Sequence, residues 1–376
     1  MTILTNARIV LADEVIRGTV VLDGTTIAEI QPGRSAAPGA LDLEGDVLMP
    51  GIVDVHTDNL ERQVQPRSNA RWPSRSAMLT HDAQCAVSGV TTVLDALCLG
   101  DLGFEKERIT TFKDGVRDLD ALADTGLLKS EHFLHLRCEL PAADLMELFE
   151  PVAAHARVRM VSLMDHSPGV GQYADLDRYR AMRRREGIAP DRIEQRIVEL
   201  TEQRVRLRDV NRKRLLERMA GSPIALASHD DRTEEEVEEN HQDGIRISEF
   251  PVSMVAAKAA RARAMQVIAG APNIVRGGSH SGNVSAASLV REGAVDGLAS
   301  DYVPASLIEA AFACVGQTGI SLAHSVAMVT AHPAGMAGLA DRGRIAAGMR
   351  ADLVRVREFE GTPVVRQVWR TGERVI

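Results

Sequence analysis

The sequence predicts an α/β fold, a TIM-like (β/α)8 barrel with a small β-sandwich built from both termini. Three observations lead there. In the middle of the 376 residues, short β-like runs alternate with helical patterns, which is the signature of parallel βα units. These runs number about eight, enough to close a barrel. Both ends of the chain read instead as short strands separated by tight turns, and neither end buries much surface by itself.

In chain order, residues 1–50 carry Ala7–Leu11, Gly18–Leu22 and Thr26–Ile30 as strands. Asp23-Gly24 forms the hairpin signal between the last two, and residues 33–39 form a loop. Residues 51–335 supply the barrel, with candidate strands Gly51–His56, Thr91–Ala96, His132–Glu139, Arg159–His166, Ile224–His229, Gly244–Phe250, Asn273–Gly278 and Gly297–Asp301. A charged, arginine-rich insertion near 175–219 reads as two helices broken at Gly187-Ile188-Ala189-Pro190, with Pro190 near the first helical position. It is either an exposed hairpin or dimer contact, or a lid carrying arginines toward a polyanion. Residues 336–376 return to the sandwich through Ala351–Val356 and Pro363–Trp369, with a turn at Thr371-Gly372.

Composition narrows the function. A net charge of −8 argues against nucleic acid or a membrane surface as a general partner. No apolar stretch approaches the roughly 20 residues that cross a bilayer. The N-terminus lacks a signal-peptide pattern, so a cytoplasmic location is expected. Cys85, Cys98, Cys138 and Cys314 are scattered without metal-ligand spacing and are expected to be buried thiols.

The chemistry collects at strand ends. His56 and Asp58 stand two residues apart where an apolar strand finishes, so their side chains leave one face and can converge on a metal ion. Asp95, Glu139, Asp165, His166, His229, Asp230, Glu249 and Asp301 also lie at predicted C-terminal strand ends, the rim where barrels of this class carry catalytic residues. On Phe133–Glu139 one face carries Phe133, His135, Arg137 and Glu139. This places Glu139 at the mouth as a bridging carboxylate above Arg137, which suits an ion pair behind the ligands. His56, Asp58, Glu139, His166, His229 and Asp301 make a full set for two metals, and Asp301 is placed to act as general base. The run Arg276-Gly277-Gly278-Ser279-His280-Ser281-Gly282-Asn283 is either an ordinary glycine loop or a phosphate cradle of backbone N–H groups, hydroxyls and an arginine.

These pieces resemble the amidohydrolase superfamily. The resemblance is carried by Pro50-Gly51-Ile52-Val53-Asp54-Val55-His56, by the late Asp301, and by Gly343–Val354. More narrowly, His56-Thr57-Asp58-Asn59-Leu60-Glu61, His135-Leu136-Arg137-Cys138-Glu139-Leu140-Pro141, Met164-Asp165-His166-Ser167-Pro168-Gly169, Ser228-His229-Asp230-Asp231 and the Arg276–Asn283 run resemble the phosphonate-utilisation diphosphatases of the carbon–phosphorus lyase pathway, nearly end to end. The resemblance implies a hydrolase that uses two divalent ions of zinc, manganese or iron. Its substrate would be a small triphosphate, α-D-ribose 1-methylphosphonate 5-triphosphate, cleaved to the 5-phosphate and pyrophosphate by water attacking the α-phosphorus. It further implies catalytic roles for Asp301 and His280, and substrate contacts from Asn59, Arg137, Arg276, Gly277, Gly278, Ser279, His280, Ser281 and Asn283. A homodimer and association with proteins of the same pathway are expected with it.

This chain departs from the wider superfamily in two ways. His-x-Asp replaces His-x-His, and Glu139 stands where many members use a carboxylated lysine. The strand count also puts His166 and His229 on the fourth and fifth strands rather than the fifth and sixth. Either a strand ahead of His166 is hidden, or His280 takes over one ligand position. Two rival functions share these residues: a C–N hydrolase such as a deacetylase or cyclic amidase, and a non-catalytic phosphonate-binding subunit. The anion cradle argues against the first and the complete ligand set against the second.

Overall fold

The computed structural model describes residues 1–67, 70–103, 106–279 and 283–376. The N-terminal segment folds into β1 (Thr2–Val10), β2 (Val15–Asp23), β3 (Thr26–Pro32), β4 (Leu41–Asp42) and β5 (Val47–Pro50). Next come the barrel strands β6 (Ile52–Thr57), β7 (Val90–Leu99), β8 (Glu131–Glu139), β9 (Val158–Met164), β10 (Ala225–His229), β11 (Ile247–Glu249), β12 (Gln266–Gly270) and β13 (Gly297–Ala299). The chain ends in β14 (Leu353–Phe359), β15 (Thr362–Arg370) and β16 (Glu373–Arg374).

The two termini share one continuous sheet of order β16-β15-β14-β5-β1-β2-β3, with β4 beside β1. The join is β14 against β5, antiparallel from Leu353↔Pro50 to Val356↔Val47. The sheet curls until the β2–β3 hairpin meets the segment before β14, where Ile27 N donates to Met349 O and Ala351 N to Thr25 O, each at 2.8 Å. Leu4, Ile9, Leu22, Leu48, Leu353 and Trp369 close over one another inside the curl. Pro50-Gly51 carries the chain from this sheet into the barrel. A Cβ on Gly51 would lie 2.2 Å from Thr91 Oγ1 and 2.9 Å from Asp352 Cβ, so the passage requires glycine.

The barrel strands run in the order β6 to β13, all parallel. The last meets the first through a bridge between Thr57 and Asp301, with Asp301 N donating to His56 O at 3.0 Å and Asp58 N to Asp301 O at 2.6 Å. One apolar cluster takes Val53, Leu94, Phe133, Met160, Ala227, Ile247, Ile268 and Ala299, a residue from every strand, and so fills the interior beneath the polar rim.

The eight strands match the expected number, with one misplaced. The seventh is Gln266–Gly270, whereas Asn273–Gly278 begins within a short helix, Ala271–Val275. Pro272 falls in that helix's first turn, where its missing N–H costs nothing. Among the described residues the barrel has no further strand ahead of His166, so His166 follows the fourth strand and His229 ends the fifth. Strand β7 runs on to Leu99, which leaves Asp95 mid-strand rather than at the rim.

The insertion forms helices Leu176–Arg185 and Pro190–Met219, the first capped by Asp175 and the second opening on Pro190. The second helix braces the loops above the barrel. Asn211 donates to Leu140 O and Ala142 O, Gln203 to Pro141 O, and Arg204 to Asp165 Oδ2 at 2.6 Å, one residue from His166. No helix among the described residues is long and apolar enough to cross a membrane.

Candidate metal centre

Three histidines meet above the barrel core, and a glutamate holds each by one ring nitrogen. Glu249, the last residue of β11, takes His56 Nδ1 on one oxygen and His229 Nδ1 on the other, both at 2.8 Å. Glu139, the last residue of β8, binds His166 Nδ1 at 2.7 Å and accepts from His166 N at 2.7 Å. A carboxylate that accepts from Nδ1–H leaves Nε2 with a lone pair for a ligand, the arrangement that orients metal-bound histidines. Each Nε2 faces an aspartate: His56 lies 3.5 Å from Asp58 Oδ1, while His166 and His229 lie 3.8 and 3.9 Å from Asp230 Oδ2.

The ligand atoms therefore fall into two triads, His56/Asp58/Asp301 and His166/His229/Asp230, each within 4.8 Å of one another. Asp230 Oδ2 is buried and has no hydrogen-bond partner. Imidazole nitrogens converging on an unsatisfied carboxylate oxygen fit a divalent ion of the zinc, manganese or iron kind.

Electrostatics follow the packing. With no ion present, burial disfavours a charged His56 but Glu249 and Asp58 raise its imidazole to about 10, so an ion at Nε2 takes the place of a proton there. Burial and the charge of Asp58 hold the Asp301 carboxyl up at about 6. Burial also works against Asp58, yet Arg137 and His56 keep it well below the usual carboxylate range. Arg137 donates to Asp58 Oδ1 at 2.5 Å and also lines the cavity above the ligands. His135 lies 2.9 Å from Val55 O and 2.5 Å from Ser162 Oγ, and Ser162 Oγ lies 2.9 Å from Glu249, so polar contacts line the floor of the site.

A cavity of about 360 Å³ opens over both triads, and Arg108, Arg137, Arg183, Tyr173, Ser279 and Asn283 are among its walls. Arg183 comes from the insertion. The glycine-rich run contributes Ser279 and Asn283, while exposed Arg276 reaches toward the hydroxyl of cavity-lining Tyr302, 3.5 Å away. Gly277 and Gly278 precede this wall, and the expectations for His280 and Ser281 lie outside the described residues. Asn59 is buried away from the cavity and donates to His81 Nδ1 and Gln84 Oε1, both at 2.9 Å. Glu139, expected as a bridging ligand, commits both oxygens to His166. Reading strand ends from the sequence marks Asp230 and Glu249 as rim residues but gives neither a role. Arg108 and Arg183 carry no local signal beyond charge.

A model of the amidohydrolase family matches residues 205–376. The alpha-D-ribose 1-methylphosphonate 5-triphosphate diphosphatase of Escherichia coli (strain K12) is 41% identical over 376 residues, covering 99% of this chain and 100% of that protein. Among solved structures, N-acetyl-D-glucosamine-6-phosphate deacetylase from Mycobacterium smegmatis superposes with a TM-score of 0.64 at 16% identity, covering all of both chains. N-isopropylammelide isopropylaminohydrolase from Burkholderia multivorans gives 0.62 at 16% identity, covering 100% of this chain and 98% of the other. At such identities these two likenesses concern the fold.

Proposed function

The chain belongs to the alpha-D-ribose 1-methylphosphonate 5-triphosphate diphosphatase family of the amidohydrolase superfamily, and from that membership we propose how its site acts. It is a hydrolase that cleaves the α–β phosphoanhydride of this triphosphate, releasing the 5-phosphate and pyrophosphate in alkylphosphonate catabolism. The observation that carries the reading is the full-length relationship at 41% identity. The site suits it, because two metal-competent triads lie under a cavity with arginine walls.

His56, Asp58 and Asp301 would hold one divalent ion, and His166 and His229 a second. Such ions polarise phosphoryl oxygens and make water a competent nucleophile at neutral pH. Asp301 accepts the proton of the attacking water as a P–O bond forms at the α-phosphorus. The α–β bond breaks with its electron pair passing to the β-phosphate oxygen, so pyrophosphate leaves as an anion. Arg108 and Arg183 face that charge from the cavity wall. Arg137 keeps Asp58 ionised and oriented. A C–N hydrolase acting on a neutral amide has no use for these cavity arginines, and a binding subunit has none for a proton acceptor beside two metal triads.

³¹P NMR of the metal-loaded protein with the ribose methylphosphonate triphosphate tests the proposal. Pyrophosphate in equal amount to the 5-phosphate is expected. Orthophosphate as the first product would reject α–β cleavage, and no phosphorus product with metal bound would favour C–N hydrolysis.

A further inference from the structure

We propose that Asp230 is a metal ligand, the third protein donor beside His166 and His229, and that Glu139 acts on the ion only through His166. The proposal rests on the metal-dependent reading above. Asp230 follows β10 directly and takes φ +57, the left-handed region that non-glycine residues seldom enter. Its N–H donates to Glu249 O at 2.9 Å, which fixes the residue at the barrel lip. The turn Gly171–Tyr173 packs on it from above: a Cβ on Gly171 would stand 3.1 Å from Asp230 Cβ. The backbone is thus over-determined in a conformation that turns the carboxyl inward.

What the carboxyl meets there decides its role. Asp230 is 9% exposed, and its Oδ2 accepts no hydrogen bond. A buried carboxylate oxygen left without a partner is destabilising, so a cation is the partner it calls for. The polar atoms facing it, His166 Nε2 and His229 Nε2, stand 3.8 and 3.9 Å off, beyond hydrogen-bond range and near the spacing of donors around one ion. Those nitrogens are the lone-pair ends, because Glu139 and Glu249 hold the other ends. Glu139 turns both its oxygens to His166 and is not among the groups whose ligand atoms converge on that point. It orients and polarises its histidine, whereas Asp230 supplies the third donor.

The test is metal content by inductively coupled plasma mass spectrometry, with Zn²⁺ affinity by calorimetry, on wild type, Asp230→Asn and Glu139→Gln after saturation and gel filtration. Asp230→Asn is expected to lose one metal equivalent relative to wild type. Glu139→Gln keeps the wild-type count and binds about 10- to 100-fold more weakly, as loss of an orienting carboxylate does. A wild-type count with unchanged affinity in Asp230→Asn, or loss of the equivalent in Glu139→Gln alone, overturns the assignment and leaves the diphosphatase reading standing. Wild type that takes up no metal rejects both. Should Asp230→Asn not fold, Asp230→Ser is scored by the same rule.

Discussion

At the barrel mouth, His56, His166 and His229 each give one nitrogen to a glutamate and keep the other 3.5 to 3.9 Å from an aspartate. His81 and His132, a second histidine group in the same barrel, spend both nitrogens. His132 binds Asp95 at 2.9 Å and Asp82 at 3.2 Å, and His81 binds Asp95 at 2.7 Å and Asn59 at 2.9 Å. Asp82 also takes the backbone N–H groups of Lys129 and Ser130. The residue types are the same, and His81, Asp95 and His132 even have ligand spacing. The difference lies in unspent hydrogen-bonding capacity: a saturated cluster is architecture, and one with converging lone pairs and an orphaned oxygen is a site.

Asp95→Ala should break this contrast most severely. It removes the carboxylate that ties His81 to His132 and leaves one nitrogen of each unpaired inside the protein, His132 keeping Asp82 and His81 keeping Asn59, at a cost of about 3–5 kcal/mol. Urea denaturation of the metal-loaded protein measures the loss. Activity per folded molecule should persist. A stable but inactive variant would make the buried cluster part of the site.

The two clusters also separate by pH. Burial opposes charge on His132, but Asp95 and Asp82 raise its imidazole to about 9, above the 6.5 of an unfolded histidine. Its contribution is therefore complete below pH 6.5 and fades as pH rises through 9, a change on the order of 3 kcal/mol. Asp82 and Asp95, with lowered values, act oppositely and lose their contribution as pH falls below the ordinary carboxylate range. Denaturation of metal-loaded wild type against His132→Gln should show the difference between them shrinking from pH 6.5 to 9. A constant difference across that interval refutes a charged His132.

At the mouth the balance reverses. Asp301→Asn should lower kcat at least about a hundredfold, roughly 2.7 kcal/mol, while barely moving the melting temperature of the metal-free protein. Without an ion the native carboxyl is already disfavoured as an anion by burial and by Asp58, so a neutral amide fits the metal-free surroundings. Steady-state kinetics beside a thermal melt reads both quantities. Near-normal turnover removes Asp301 from proton transfer.

Much of this was legible in the chain because strands ending in histidine or carboxylate announce a rim. His56, Asp58, His166, His229 and Asp301 come together as their strand positions require. Asp230 escaped because its role depends on a left-handed backbone at one residue, and His229-Asp230-Asp231 offers two adjacent acids without saying which turns inward. The neighbour, Asp231, instead binds Ser228, Ser248 and Asn240. Asp95 misled because the strand continues four residues beyond it. The seventh strand, Gln266–Gly270, lies earlier than the sequence suggests, because Asn273–Gly278 begins inside the short helix that follows it, with Pro272 in its first turn.

Arg183→Ala addresses the smallest difference, that between cavity wall and exposed rim. Glycine runs suggest anion cradles, and by sequence Arg276 is the natural phosphate contact. Arg276 is nevertheless exposed and turned to Tyr302, while Arg183 is 9% exposed, lies over the Tyr179 ring at 5.1 Å and lines the cavity. A guanidinium held by an aromatic face and by Glu186, at 2.9 Å, is preorganised to meet a triphosphate, and in a partly dry wall salt screens it less. Arg183→Ala should raise KM about tenfold, roughly 1.4 kcal/mol, with kcat little changed. Arg276→Ala should raise it less and lose its effect sooner as salt is added. The reverse ranking would return the leaving pyrophosphate to the glycine-rich loop and reduce the insertion to a brace for His166.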